Sequence, residues 1–385
     1  MDVRKLSRIM KSPLLDTHPF TWKLLGQSPL YEIGEMNNDM YAAAMRENTI
    51  WHYEKNETYR AYCRLLKFDP KSDLLESADI GRIPALSADL FKHFDLSGPH
   101  SPCALTVSSS GTSGHPTTLS MDEETIIRMW KMGRATFEEE GLVSSSPVHY
   151  LIFSADPKNS PHYGNSLFFS SLMEFAPAMD VTYAVEPSSG GVFRLNQEKA
   201  VDLLRRASGT GEPVRVIGLP ALISSIACDT PPGQVRLNPE SLVLTGAGWK
   251  ANIHTGMSKK EFRGLLCRVW GLSHDRVRDL YGMTEHAVHY LDCPEHHFHA
   301  PVFSRVSIID PLTCGPVREG EAGVIHLMNP GFTSMPLQSL KTADVGRNVL
   351  CTCGRKTPAF ELIGRGGRSR FRGCAATTLE RVQHE

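Results

Sequence analysis

Four short apolar runs, separated by helical stretches, most constrain the fold of this chain. They cover residues 149–153, 214–219, 242–244 and 324–327, and each is bounded by Gly, Pro or Ser. Short runs that are mostly apolar are typical of strands buried on both faces. The pattern therefore predicts an α/β fold in which helices cover both sides of a sheet.

The chain divides into four segments. Residues 1–100 are predicted to form a helical cap, because aromatic and aliphatic residues of 37–66 recur largely at three- and four-residue intervals. Residues 101–297 carry the α/β core, residues 298–362 form a β-rich section, and residues 363–385 form a short tail. A length of 385 residues suits about two domains.

Charge and composition exclude several classes of protein. With 41 basic and 42 acidic residues the net charge is -1, so no overall field favours nucleic acid or an anionic membrane. No apolar run approaches the roughly 20 residues of a membrane helix, and the N-terminus does not resemble a signal peptide. Nine scattered cysteines then favour reduced thiols. We expect a cytoplasmic protein with no nucleic-acid partner and no membrane span.

Small hydroxyl residues and glycines are concentrated in residues 105–120, LTVSSSGTSGHPTTLS. Residues 120–123 fit a capping box, and the residues that follow have helical periodicity. The loop is therefore expected between a strand and a helix N-terminus, where backbone N–H groups and the helix dipole can hold an anion. No Lys-Ser or Lys-Thr follows at the spacing of a Walker A loop. Taken alone, a flexible serine-rich connector is the alternative.

A downstream segment, RDLYGMTEH at residues 278–286, resembles the adenylate-forming superfamily of acyl and aryl ligases when it is combined with this loop. In that family the loop contacts the triphosphate, and an aromatic-Gly-x-Thr-Glu segment places Thr on the α-phosphate and Glu on Mg²⁺. A tyrosine face can also stack on adenine, and a carboxylate is the hard ligand that Mg²⁺ prefers. The alternative is a helix-to-loop junction with ordinary surface residues.

Two further segments extend the resemblance. KTAD at residues 341–344 is similar to the family's Thr-Gly-Asp, whose Asp holds the ribose, with Ala343 in place of Gly. Gly364-Arg365 is similar to the family's hinge, although Gly367 stands where the family has Asp. The resemblance implies ATP and Mg²⁺ as cofactors, with Glu285 on Mg²⁺, Thr284 on the α-phosphate and Asp344 on the ribose. The implied ATP-binding residues are Ser108, Ser109, Ser110, Gly111, Thr112, Ser113, Gly114, Gly246, Tyr281, Gly282, Thr284, Asp344 and Arg365.

Within the superfamily, nearly the whole chain is similar to the acyl-protein synthetases of bacterial bioluminescence fatty-acid reductase. The matching text is WHYE at 51–54, TGAGWK at 245–250, residues 281–289, TSMP at 333–336 and RGCA at 372–375. Most adenylate-forming ligases carry a C-terminal lid with a catalytic lysine, whereas here we expect the core and no full lid. Lys250 is the candidate for the missing cation, and a solvated surface lysine is the alternative.

The resemblance makes Cys374 the thiol that accepts the acyl group. Nearby arginines favour the nucleophilic thiolate, although a tail residue without chemistry is the alternative. His162 and Trp249 are candidates for the acyl pocket, which must exclude water.

A second set of cysteines predicts a structural zinc ion. Cys351 and Cys353 are one residue apart, and Cys293 precedes His296, His297 and His299. Three thiols and one imidazole can close a tetrahedral site. Phenylacetate-type ligases are similar in this stretch, and His299 fits that resemblance best. Unrelated cysteines and exposed histidines are the alternative.

Together these residues predict an ATP-dependent ligase. It would convert a carboxylic acid, most simply a fatty acid, to acyl-AMP with release of pyrophosphate, and then transfer the acyl group to Cys374. An acceptor protein, a carrier or a reductase is the implied partner. Two alternatives stay open: a ligase that acylates coenzyme A, a carrier protein or an amine, and a non-catalytic scaffold with a nucleotide-binding fold.

Overall fold

A computed structural model describes residues 3–10, 12, 17–98, 103–108, 117–158, 168–169, 171–188, 193–246, 257–365 and 382–383. Its helices are α1 (Val3–Met10), α2 (Pro19–Leu25), α3 (Glu35–Lys55), α4 (Glu57–Leu65), α5 (Pro70–Asp73), α6 (Glu123–Glu139), α7 (Gln197–Thr210), α8 (Pro220–Asp229) and α9 (Lys259–Trp270). Short 3₁₀ turns lie at Ser77–Arg82, Ala88–Lys92, Leu172–Phe175 and His274–Arg276.

The strands form two large sheets and a hairpin. They are β1 (Leu86–Ser87), β2 (Leu105–Ser108), β3 (Thr118–Met121), β4 (Val148–Ala155), β5 (Ala178–Pro187), β6 (Phe193–Leu195), β7 (Val214–Gly218), β8 (Leu242–Thr245), β9 (Val277–Tyr281), β10 (Tyr290–Leu291), β11 (Phe298–His299), β12 (Arg305–Ile309), β13 (Gly323–Met328), β14 (Ser339–Val349), β15 (Ala359–Arg365) and β16 (Val382–Gln383).

The larger sheet has the strand order β10-β9-β8-β7-β4-β5-β6-β16. Its central pairs, from β9 to β5, are all parallel. Successive residues of β4 point to opposite faces: Leu151 and Phe153 pack with α7, α8 and α9, whereas Tyr150 and Ile152 pack with α6. This confirms the predicted α/β sheet covered on both faces, and three of the predicted apolar runs are its strands β4, β7 and β8.

The smaller sheet has the order β11-β15-β14-β13-β12, with β1 paired to β14. The fourth predicted apolar run is its strand β13. Its apolar face shares one core with the N-terminal helices, since Tyr41 and Met45 of α3 lie in the same buried cluster as Ile325 of β13 and Leu340 of β14. The N-terminal helical segment is therefore a layer that covers this sheet.

The predicted helical stretch 37–66 is occupied by two helices, α3 and α4. Asn56 separates α3 from α4, and its side chain accepts a hydrogen bond from the Tyr59 N–H at 2.9 Å. The same amide group donates to the Leu96 carbonyl at 2.8 Å. A helix N-cap bonded in this way holds the turn between the two helices.

The predicted capping box after the Ser-Gly loop is wrong. Strands β2 and β3 pair antiparallel, with Ser108 opposite Thr118, so the loop joins two strands of a hairpin. Ser120 lies within β3, and the N-cap of α6 is Asp122, whose carboxylate accepts from the Thr125 N–H at 2.8 Å. Cross-strand pairing with β2 extends residues 118–121, and this strand separates the loop from the helix.

None of the described helices is both long enough and apolar enough to cross a membrane.

Candidate active site and metal centre

Several predicted nucleotide-binding residues lie at the carboxyl edge of the larger sheet. Gly246 directly follows β8, and Tyr281 is the last residue of the neighbouring parallel strand β9. Gly282, Thr284 and Glu285 continue from Tyr281 into a turn. Ligands of open α/β sheets bind outside the carboxyl ends of the strands, so this edge is the place where a nucleotide is expected.

Tyr281 and Asp344, which are predicted from two separate motifs, are in contact. The Tyr281 hydroxyl donates to Asp344 Oδ2 at 3.3 Å, although 63 residues separate the two along the chain. Asp344 lies on β14 and is 6% exposed, and its N–H donates to the Thr342 hydroxyl at 3.1 Å. Arg365, at the end of β15, is the backbone neighbour of Asp344. The contact brings the tyrosine and ribose motifs to one place.

Burial fixes the protonation state of this tyrosine. Tyr281 is 5% exposed, and its ring stacks on Tyr290 with 5.9 Å between centroids. Burial and the Asp344 carboxylate raise the pKa of Tyr281 well above its ordinary value. The phenol therefore stays protonated and acts as a donor to Asp344. Stacking of this ring on adenine stays a prediction.

Gly282 follows Tyr281 because no larger residue fits there. A Cβ at this position would lie 2.4 Å from His289 Cδ2. The His289 ring cannot move easily, since it stacks on Phe168 with 4.3 Å between centroids. The glycine of the predicted Tyr-Gly-x-Thr-Glu motif thus has a steric role in the turn.

His286, the residue after Glu285, holds the turn that carries Thr284 and Glu285 by a side-chain hydrogen bond to Tyr290. The Tyr290 hydroxyl lies 2.9 Å from His286 Nε2 and 2.6 Å from Ser304 Oγ. Ser304 Oγ donates its own proton to a backbone carbonyl, so Tyr290 donates to Ser304 and His286 Nε2–H donates to Tyr290. Burial lowers the pKa of His286 to about 3, which keeps the imidazole neutral. Glu285 is 8% exposed beside it.

The remaining predicted site residues divide into two groups. Ser108 is the last residue of β2 and pairs with Thr118 where the hairpin strands meet the loop. The following predicted residues lie outside the described part of the chain: Ser109, Ser110, Gly111, Thr112, Ser113, Gly114, His162, Trp249, Lys250 and Cys374. Their roles stay predictions.

The four predicted zinc ligands converge, since their ligand atoms all lie within 4.8 Å of one another. Cys293 Sγ is 3.6 Å from Cys351 Sγ, and Cys353 Sγ is 3.4 Å from His299 Nε2. A tetrahedral zinc ion with usual bond lengths separates two sulfurs by about 3.8 Å and sulfur from nitrogen by about 3.6 Å. A disulfide would need about 2.05 Å, so the cluster has the spacing of a metal site.

The imidazole of His299 is oriented for metal binding. Its Nδ1–H donates to the Thr357 carbonyl at 2.9 Å, which leaves Nε2 as the free lone pair facing Cys353. Burial lowers the pKa of His299 and raises the pKa of Cys293 to about 12. A bound cation would remove the proton from such a thiol. His296 instead contacts the Asp292 carboxylate at 3.0 Å, so the structure selects His299 among the candidates.

A buried ionic network that is centred on Arg278 of β9 was not predicted from the sequence. Arg278, 3% exposed, donates to Asp292 Oδ1 at 2.9 Å and to Glu140 Oε2 at 3.0 Å. Arg355, next to the metal cluster, also pairs with Glu140. Adjacent Arg278 and Asp279 in a buried strand were the available signal, because charged residues are rarely buried without partners.

Comparison with known proteins decides the family. The family model described as "Acyl-protein synthetase, LuxE" matches residues 7–382. The chain belongs to this family. As an acyl-protein synthetase it is an ATP-dependent ligase that activates a carboxylic acid as an acyl adenylate and transfers the acyl group to a protein.

Two relatives carry the name long-chain-fatty-acid–luciferin-component ligase. The Vibrio harveyi protein is 24% identical over 329 residues, which are 84% of this chain and 83% of that protein. The Aliivibrio fischeri protein is 24% identical over 350 residues, with 88% of each chain covered. Both matches therefore extend over most of each protein.

Solved structures show the same fold. A 2-hydroxyisobutyryl-CoA ligase in its postadenylation state has a TM-score of 0.66, with 14% identity over 92% of this chain and 72% of that chain. The same ligase in its thioesterification state has a TM-score of 0.64, with 16% identity over 87% and 69%. The acyl-protein synthetase thus has the fold of adenylate-forming ligases.

Proposed function

We propose that this acyl-protein synthetase activates a long-chain fatty acid with MgATP at the carboxyl edge of the larger sheet. The observation that carries this proposal is the 3.3 Å contact between Tyr281 and Asp344, because it joins two predicted nucleotide motifs at that edge. The names of the Vibrio harveyi and Aliivibrio fischeri relatives favour a long-chain fatty acid as the substrate.

The residues at this edge suit the parts of the nucleotide. Asp344 accepts hydrogen bonds from the ribose hydroxyls while Tyr281 holds its carboxylate in place. Thr284 donates to the α-phosphate, and Glu285 provides a carboxylate oxygen for Mg²⁺, which would neutralise phosphate charge. The loop of residues 108–114 binds the triphosphate, and Gly246, Gly282 and Arg365 complete the predicted ATP-binding residues.

Acyl transfer follows from the chemistry of the adenylate. A fatty-acid carboxylate oxygen attacks the α-phosphorus and pyrophosphate leaves, so the acyl carbon gains AMP as a good leaving group. The Cys374 thiolate then attacks that carbon, a thioester forms, and AMP departs. Lys250 offsets the developing negative charge, and Trp249 and His162 line the acyl pocket and exclude water.

The Cys/His cluster serves as a structural zinc site in this proposal. Four protein ligands leave no open coordination position, so the ion would hold the segments rather than take part in the reaction. The ligands lie before and on β11 and on the β14–β15 connection. Reduced thiols fit the expected cytoplasmic location.

A reductase that consumes the thioester is the proposed partner.

Pyrophosphate exchange and covalent labelling test the proposed function. Acids of graded chain length are tested first for ATP–pyrophosphate exchange, and a long-chain fatty acid is expected to give the highest kcat/KM. The protein is then incubated with ATP and labelled acid and run on a denaturing gel. Label is expected on the wild type and absent from Cys374→Ser, whose exchange activity is retained.

The matched control is Cys228→Ser, which removes an exposed thiol of α8. It is expected to label like the wild type. Labelled Cys374→Ser would remove that thiol from the reaction, and acyl-CoA formation by this variant would favour the coenzyme A ligase alternative. No exchange with any acid would contradict the adenylation chemistry itself.

Metal analysis tests the zinc proposal. The purified protein is expected to contain one zinc ion per chain, and Cys353→Ser is expected to lower that content and the thermal midpoint. Cys314→Ser, which changes an exposed thiol outside the cluster, is the control. A wild-type protein without metal that is equally stable in chelator would contradict the proposal.

A further inference from the structure

Two matching segments without a nucleotide role, WHYE and TSMP, contact each other. Trp51 Nε1 donates to the Thr333 carbonyl at 3.0 Å. His52 Nε2 donates to the Phe332 carbonyl at 3.0 Å, and burial lowers the pKa of His52 to about 4, so the ring is neutral. Together these bonds hold the connection between β13 and β14 against helix α3.

From this position Thr333 reaches the N-terminus of α6. Its hydroxyl lies 3.0 Å from Asp122 Oδ1 and 2.8 Å from Asp122 Oδ2. Its N–H donates to Thr125 Oγ1 at 3.1 Å, and the two threonine hydroxyl oxygens are also 3.1 Å apart. All three residues are buried, with exposed fractions between 0% and 7%.

Proton counting gives the direction of these bonds. A carboxylate only accepts, so the single Thr333 hydroxyl proton goes to Asp122. The Thr125 hydroxyl, which accepts from the Thr333 N–H, therefore donates to Thr333 Oγ1. Each donor has an acceptor, and the Asp122 charge is stabilised by the Thr333 hydroxyl and the Thr125 N–H. We call these three residues the threonine clamp.

The threonine clamp connects two parts of the proposed nucleotide site. Asp122 directly follows β3, the second strand of the hairpin that carries the predicted triphosphate loop. Thr333 precedes β14, the strand that carries Asp344. Bonds between Asp122 and Thr333 therefore join the base of the hairpin to the segment that leads into the ribose-binding strand.

We propose that Thr333 and Asp122 are positioning residues that fix the position of the triphosphate hairpin relative to the strand that carries Asp344. This inference rests on the proposed MgATP site. The two residues act through the hairpin and the strand, so their loss affects nucleotide binding more than binding of the acid. A displacement of about 1 Å is enough to reduce catalysis strongly when two substrate-binding parts must align.

Steady-state ATP–pyrophosphate exchange with Thr333→Val tests the proposal. Valine keeps the shape of threonine and removes the hydroxyl. The KM for MgATP is expected to rise about tenfold or more, while the KM for the fatty acid stays within about twofold of the wild-type value. Thr333→Ser restores the hydroxyl and is expected to recover most of the wild-type KM for MgATP.

Thr136→Val is the matched control. Thr136 is a 2%-exposed threonine of α6, the helix that Asp122 caps, and its hydroxyl donates to the Met132 carbonyl at 3.0 Å. Its KM for MgATP is expected to stay at the wild-type value. Should Thr333→Val fold poorly, Asp122→Asn is measured instead, since asparagine still caps a helix; the same selective rise in KM is expected.

An unchanged KM for MgATP in the clamp variants, or an equal rise for both substrates, would overturn the proposal. A wild-type protein that shows no exchange at all would contradict the proposed function rather than the clamp. The two failures are therefore distinguishable in one assay.

Discussion

Replacing Tyr281 by Phe isolates the contact on which the proposed nucleotide site depends. The substitution removes one hydroxyl and leaves the buried ring in place. A hydrogen bond to a charged group contributes about 1.5–3 kcal/mol, but the 3.3 Å distance is long for a hydroxyl and a carboxylate. We therefore expect a loss at or slightly below the lower end of this range, about 1–1.5 kcal/mol.

Urea unfolding and exchange kinetics measure this effect. With an m-value of about 3 kcal/mol/M, the expected loss shifts the urea midpoint by about 0.3–0.5 M. The KM for MgATP is expected to rise, because Asp344 loses the donor that orients it. Since burial and Asp344 raise the pKa of Tyr281 well above its ordinary value, the hydroxyl stays protonated and the stability loss should be constant between about pH 6 and 9.

Tyr150→Phe is the matched control for this prediction. Tyr150 is fully buried, and its hydroxyl donates to the Ala176 carbonyl at 2.9 Å, a neutral acceptor within the core. It is expected to lose a similar amount of stability and to keep the wild-type KM for MgATP. A Tyr281→Phe protein with wild-type midpoint and wild-type KM would refute the claim that this hydroxyl anchors Asp344.

Two further predictions concern the turn after β9 and the opposite edge of the sheet. Gly282→Ala places a methyl group 2.4 Å from the stacked His289 ring, so it should cost about 1–3 kcal/mol of stability and reduce exchange activity. Gly209→Ala, whose methyl group would meet no atom within 4 Å, should be neutral or stabilising. Equal effects of the two substitutions would contradict the steric argument. Partial burial lowers the pKa of His149, but hydrogen bonds to Glu212 and a second carboxylate raise it overall. The ion pairs of the protonated imidazole therefore stabilise the fold fully below about pH 6.5, and this stabilisation is lost as the pH rises through the raised pKa of His149. In urea, His149→Gln should therefore destabilise the protein more at pH 6 than at pH 8.5, and a pH-independent loss would contradict this assignment.

Local sequence patterns were sufficient to predict four of the sheet strands and the members of the Cys/His cluster. Mostly apolar runs predicted β4, β7 and β8, which helices cover on both faces. A similar run predicted β13, although the burial of that strand partly alternates. Three cysteines and a histidine with suitable spacing predicted the ligand cluster, since few residue types bind zinc. The Thr357 carbonyl that orients the His299 ring is 58 residues away along the chain, so only the structure shows this contact.

The sequence by itself determined the fold class, the family motifs and the residue types available for chemistry, because each depends on neighbours along the chain. Only the tertiary structure decided that the Ser-Gly loop joins two strands, that Tyr281 meets Asp344, and that Thr333 reaches Asp122. These contacts join residues far apart in sequence. Their stability comes from burying polar groups with matched partners, and such matching exists only after the chain has folded.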